Sequence, residues 1–294
     1  MKKSFVSTFV VAAVLGTACA HAANAPAAVD SKEYKVLLDP SRFASNPSSA
    51  ASSLLGDLSV RLSQLAFDKT VSGGFSVDKR DNVAYYDTAG TCVVRGNNYA
   101  VRTRSGGDSD IQFKFSHPDE ELSAATLVTG TGKNKSTKLE TDVGPASLVY
   151  SHSTKQDPAT TGAPTTVADL ITQFSGASTL SSYKTQALVP VNGLDIVQQE
   201  YTGPVSDLGQ SDAEFTLTLW YVGGSSAPAL AELSYKVKAD SSAYFTTPVL
   251  TRSQTLLKAM STLDGWMLSP STTKTAWVYN YRSAAYPNGF CSGT

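Results

Sequence analysis

The chain has 294 residues, with 24 Lys and Arg against 25 Asp and Glu, giving a formal net charge of −1. A balance this close excludes bulk nucleic-acid binding, so any anion site has to be local. Hydrophobic residues make up 41% of the sequence, enough for one large domain or two small ones to bury a core.

Residues 1–22 read as a secretory leader. Lys2 and Lys3 form a basic start, Phe5 to Leu15 is mostly apolar, and Ala20-His21-Ala22 is a small-x-small cleavage site. The apolar run is too short for a membrane span, and no later run is longer. Lipidation at Cys19 competes with cleavage, but Gly16 stands where a lipobox carries leucine. The expectation is a periplasmic or secreted protein in a compartment that permits disulfides. Cys92 and Cys291 are the cysteines beyond the leader. They form either a bridge that pins the C-terminal tail or two free buried thiols, and the bridge is the expectation.

Residues 23–31 form an Ala- and Pro-rich lead-in without expected structure, and 32–294 are expected to form a single domain. Glu33 to Leu38 alternates as a strand. Residues 48–67 carry Leu54, Leu55, Leu58, Leu62 and Leu65 near a 3.6-residue period and predict a helix. Strands follow in the stretch from Val83 to Ser116, over 133–143 and over 148–153. Val167, Leu170, Ile171 and Phe174 predict a short helix over 166–174. The remainder returns to strands over 185–191, 195–201, 214–221 and 230–238, with a hairpin at Gly223-Gly224. A helix over 250–263 and an aromatic tail from Trp277 to Phe290 complete the chain. The class is α+β with a mainly antiparallel sheet.

The stretch from Val83 to Ser116 organises the rest. Strand alternation puts Arg102 and Arg104 on one face, and a hairpin at Ser105-Gly-Gly-Asp108 brings Lys114 to the same side. At ~6 Å and an effective dielectric of ~20, each like-charge pair costs roughly 3 kcal/mol unless an anion or carboxylates answer it. Glu33/Lys35, Lys138/Glu140/Asp142 and Glu232/Ser234/Lys236 repeat the same spacing of two. Ile111, Phe113 and Phe115, or Leu233, Tyr235 and Val237, occupy the opposite faces and need cover. A barrel with a polar interior and helices outside satisfies both faces.

The order of these pieces resembles the CYTH superfamily, the triphosphate tunnel metalloenzymes. The residues that carry the likeness are Glu33-x-Lys35, Tyr85-Tyr86-Asp87-Thr88, Arg102-x-Arg104, Lys114, Glu140-x-Asp142 and Glu232 to Lys236. The opening Glu33 to Pro40 is also similar to polyphosphate-polymerase-type domains of that superfamily. The resemblance implies an eight-stranded antiparallel β-barrel, a tunnel with a polar lumen. It implies Lys35, Arg102, Arg104, Lys114 and Lys236 as phosphate ligands, and Glu33, Glu140 and Glu232 as ligands of Mg or Mn. The implied partner is triphosphate, polyphosphate or another polyanion, and the implied activity is metal-dependent triphosphatase hydrolysis.

The departures fall on the acidic half. Ser31 and Ser234 stand where the family carries glutamates, and Gln198 or Gln199 stands where it carries a late inward arginine. Lost carboxylates weaken a divalent-metal site. A degenerate polyanion-binding barrel and a structural envelope protein are therefore the alternatives to a hydrolase. His117 and His152 are isolated, and Asp87 and Thr88 read as satisfying backbone donors at a strand end.

Overall fold

The computed structural model describes residues 29–238, 245–269 and 272–292. The expected leader over residues 1–22, including Cys19, lies outside them.

Eleven strands join one sheet. They are β1 (Ser31–Leu38), β2 (Val71–Ser72), β3 (Ser76–Asp87), β4 (Tyr99–Gly106), β5 (Asp110–His117), β6 (Ser136–Gly144), β7 (Ser147–Gln156), β8 (Val189–Pro190), β9 (Ile196–Asp207), β10 (Asp212–Val222) and β11 (Leu230–Lys238). The two-residue β2 and β8 are appendages. The other nine run in the order β9-β10-β11-β1-β6-β7-β5-β4-β3, and pairing of β3 with β9 closes the ring. The barrel expected from the sequence is present, but it is nine-stranded and mixed, where eight antiparallel strands were expected. β1 pairs antiparallel with β11 on one edge and parallel with β6 on the other. Side-chain alternation is the same in both pairing senses, so the sequence pattern is blind to this difference.

Local chemistry explains most boundaries. α1 (Pro47–Gln64) starts on Asn46, whose side chain accepts the Ser49 N–H at 3.0 Å, with proline in its first turn. Its buried stripe is Ala51, Leu54, Leu58 and Leu62. Gly223 and Gly224, with φ of 60° and 75°, turn the chain out of β10 into the loop of residues 223–229 that leads to β11. Asp119 caps α3 (Glu120–Ala125), and a Thr166/Asp169 capping box starts α4 (Val167–Gln173). Two expectations shift. Ser31 belongs to β1, held between Lys238 and Glu140, and not to a loose lead-in. The strand expected over 185–191 shrinks to β8.

Three apolar clusters cover the ring. α1 and α5 (Thr247–Ser261) pack on the outer faces of β1, β10 and β11 through Leu54, Leu58, Leu256 and Met260. α4, through Val167 and Leu170, and the Phe174 that ends it pack against Val101, Ile111 and Phe113 of β4 and β5. The third cluster lies at one end of the barrel. Leu37, Val83, Tyr85, Ile196, Trp220 and Leu230 meet the C-terminal segment there, including Val278, Tyr279 and Phe290. α6 (Lys274–Asn280) and the residues after it thus cap that end. The Cys92–Cys291 disulfide ties them down across 199 residues of sequence. α2 (Val93–Gly96) begins at Cys92 and rests on Asp87, which accepts the N–H groups of Thr88, Val94 and Arg95 and the Tyr279 hydroxyl. Asp87 therefore satisfies backbone donors, as its place at a strand end indicates.

Candidate anion-binding site

Strand register brings the expected residues to the inner face. Directly paired residues point to the same side of a sheet. Glu33 pairs with Lys236 of β11 and with Asp142 of β6, and Lys35 pairs with Ser234. Arg102 pairs with Gln112, and Gln112 with Lys155. Lys114 pairs with Ser153, and Glu140 with Ser151. Lys35, Arg102, Arg104, Lys114 and Lys236 thus share the lumen with Glu33, Glu140 and Glu232. The outward partners of these positions, such as Val36, Val101 and Phe113, lie in the apolar clusters.

Most of these charges answer one another. Asp142 takes Lys35 on one carboxylate oxygen at 2.7 Å and Lys114 on the other at 2.8 Å. Glu33 holds Lys35 at 2.9 Å, and Glu140 holds Lys236 at 2.8 Å while accepting the Ser31 hydroxyl at 2.8 Å. Burial alone would raise the Glu33 carboxyl, but Lys35 with Lys236 and Lys274 outweighs it and Asp142, drawing it down to about 2. Burial opposes ionisation of Asp142 as well, yet Lys114 and Lys35 hold it well below the carboxylate range. Lys35 moves the other way: burial disfavours its charge, and Asp142, Glu33 and Glu232 raise it well above the usual ammonium value. The lysine and carboxylate side chains of these pairs, Asp142 apart, keep 14–32% of their surface exposed. These side chains thus keep partial access to solvent, and each pair is worth less than a fully buried one.

Arg104 sits in an acidic nest. It bonds Asp110 through Nε and Nη2, and its Nη1 lies 2.6 Å from Asp108. Lys79 bridges Asp108 at 2.8 Å and Glu200 at 3.3 Å. Gln198 donates to Glu200 and accepts from the Trp220 indole, each at 2.8 Å.

Two partly buried lumenal cations differ from the rest, while Lys138, inward on β6 and likewise without an ion pair among the described residues, is exposed. Arg102 enters no ion pair among the described residues, and its Nε is buried without a hydrogen-bond partner. Lys155 also has no carboxylate within ion-pair distance among the described residues, and it is half-buried. Burial, with Arg102 and Arg104 nearby, lowers its ammonium to about 8. Its strand was expected to stop at Ser153; β7 runs on to Gln156, which makes Lys155 the next inward position after Ser151 and Ser153. The signal was present as a spacing of two. Lys274 was also unforeseen, because it lies between the helix expected over 250–263 and the aromatic tail from Trp277, in a stretch with no charged strand pattern. It lies 2.6 Å from Glu232.

The three glutamates expected to hold metal thus each hold a lysine: Glu33 with Lys35, Glu140 with Lys236, Glu232 with Lys274. Among the described residues, no group of three or more His, Cys, Asp or Glu is disposed to hold a metal ion. The donor set as folded does not fit a divalent cation, which needs carboxylate oxygens free of ammonium groups. No described helix is long and apolar enough to cross a membrane. The chain matches no known protein-family model and no curated protein sequence at a significant level.

Proposed function

We propose that the lumen is a polyanion-binding site, with triphosphate or polyphosphate as its ligand. The observation that carries this reading is Arg102, an inward guanidinium with a buried Nε that no described residue accepts from. A guanidinium fork matches phosphate oxygens in pairs, and a buried unsatisfied donor costs about 1–3 kcal/mol that an anion would offset. The neighbouring Lys155 adds positive charge at the same level of the barrel. The disulfide and the leader-like first 22 residues support a periplasmic or secreted setting.

Metal-dependent hydrolysis is the weaker part of the family resemblance here. The lysines on Glu33, Glu140 and Glu232 occupy the oxygens a magnesium or manganese ion would use, so no hydrolytic step is assigned. A second reading, a structural barrel whose inner charges only pair with one another, draws on the Lys35–Asp142–Lys114 bridge. Calorimetric titration of tripolyphosphate into the mature protein, with phosphate release followed in parallel with Mg or Mn, separates the three. Salt-sensitive binding without turnover supports the binding reading. Turnover would restore the hydrolase, and absence of both heat and turnover leaves the structural barrel.

A further inference from the structure

We infer that Lys155 is the second cation of the ligand site, and that Lys155 and Arg102 together clamp one terminal phosphoryl group across Gln112. This rests on the polyanion reading above and specifies its ligand end. Arg102, Gln112 and Lys155 are consecutive in register on three adjacent strands, β4, β5 and β7. Adjacent strands lie ~4.8 Å apart, so the two cation-bearing backbones stand roughly 10 Å from each other. Both side chains are long enough to converge on a group held between them. Gln112 lies in the gap, and its amide already donates to the Ser153 hydroxyl at 3.1 Å, which fixes its orientation.

Charge decides which part of a ligand fits. Lys35, Lys114, Lys236, Lys274 and Arg104 are each neutralised by a carboxylate within the lumen. Arg102 and Lys155 are the partly buried cations left over among the described residues, and together they offer two positive charges; Lys138, inward on β6, is also without an ion pair but is exposed. A terminal phosphoryl group carries nearly two negative charges at neutral pH, because its second ionisation lies near ~6. An internal phosphate in a chain or ring carries one. The site therefore matches a chain end or a phosphomonoester and disfavours a ring. The charged groups facing Lys155 are Arg102 and Arg104 of β4, Asp110 of β5, Asp108 in the β4–β5 turn and Lys236 of β11. The cations among them outweigh the acids, so a bound anion would relieve repulsion and draw a proton onto Lys155.

The test compares wild type with Lys155→Met and Lys155→Arg, using tripolyphosphate and cyclic trimetaphosphate as probes in calorimetry at pH 7 and pH 9. Wild type is expected to bind tripolyphosphate at least about tenfold more tightly than trimetaphosphate, and to weaken at pH 9. The Met variant should lose about tenfold or more in affinity at pH 7, and the Arg variant should recover it without the loss at pH 9. Wild-type binding left unchanged by Lys155→Met, or equal binding of ring and chain, would overturn the clamp while leaving the lumenal site standing. No binding of either probe by wild type would overturn the polyanion reading itself. Should the Met variant fail to fold, the pH profile of the Arg variant decides: a profile identical to wild type would count against Lys155.

Discussion

Lys274 Nζ lies 2.6 Å from Oε1 of Glu232, joining the C-terminal helix to a strand that faces the lumen. Glu232 is 2% exposed, so the contact answers a carboxylate that has almost no access to water. Burial works against the charge of Lys274, but Glu232 and Glu33 raise its ammonium above the usual value. Removing one partner of such a pair leaves a buried charge, which costs about 3–5 kcal/mol. Lys274→Ala should therefore lower unfolding stability by roughly 3 kcal/mol in urea melts, whereas the Lys274→Met/Glu232→Gln double variant should recover most of it. Equal losses in the two variants would show that lost packing, not an orphaned carboxylate, sets the cost.

Acid sensitivity follows from the same network. Glu33, Glu140 and Asp142 all have carboxyls lowered on folding, against burial, by Lys35, Lys236 and Lys114. A lowered folded pKa contributes stability that is complete above the unfolded value near ~4 and is lost as pH falls through the folded value. Stability should hold from pH 7 to about 5 and fall steeply between about 4.5 and 2. Asp142→Asn, which removes the shared partner of two lysines, should flatten that fall. Urea melts across this range check it.

Lys155 predicts the opposite trend on the alkaline side. Its ammonium is lowered to about 8 by burial and the neighbouring arginines, so below that value its charge weighs against the fold. Between about 8 and 10.5 the unfolded chain holds the proton that the folded one has released, so stability rises with pH through that window. Lys155→Met should raise the melting temperature at pH 7, with the gain shrinking towards pH 10.

At the capped end, Asp87 accepts five hydrogen bonds, three from backbone N–H groups, one from the Tyr279 hydroxyl and a longer one from the Thr88 hydroxyl. The Tyr279 hydroxyl is pushed well above its usual range by burial and by Asp87, so it remains a donor at any ordinary pH. Asp87→Ala should cost about 3 kcal/mol through the orphaned donors. Loosening of the tail should appear as faster hydrogen exchange over 278–292. Reduction of Cys92–Cys291 should act on the same segment, with an entropic limit near ~5 kcal/mol for so long a loop.

The residues that give the barrel its inside and outside are plain in the sequence. Glu33 and Lys35 alternate with Tyr34 and Val36, Arg102 alternates with Val101, and Lys236 with Tyr235. Register then delivers them to one lumen. Strand number and direction were not legible, because a side chain that alternates correctly does so beside a parallel or an antiparallel neighbour. β1 shows this, with β11 antiparallel on one side and β6 parallel on the other. Ion pairing was hidden for a related reason. Lys114 and Asp142 sit 28 positions apart and meet across two strand pairings, and Lys274 reaches Glu232 from a helix with no lumenal pattern of its own. Sequence spacing identifies which charges enter the barrel. Only the closed ring tells which of them remain unanswered.

The most direct measurement is the dissociation constant of tripolyphosphate for wild type and for Arg102→Ala, at pH 7 and low ionic strength. Arg102 has no described partner to lose, so the variant should melt within about 1 kcal/mol of wild type in stability. A charge-assisted bond to phosphate is worth about 1.5–3 kcal/mol, so affinity should fall by roughly 10- to 100-fold. Unchanged affinity in a variant of unchanged stability would contradict an anion site at Arg102.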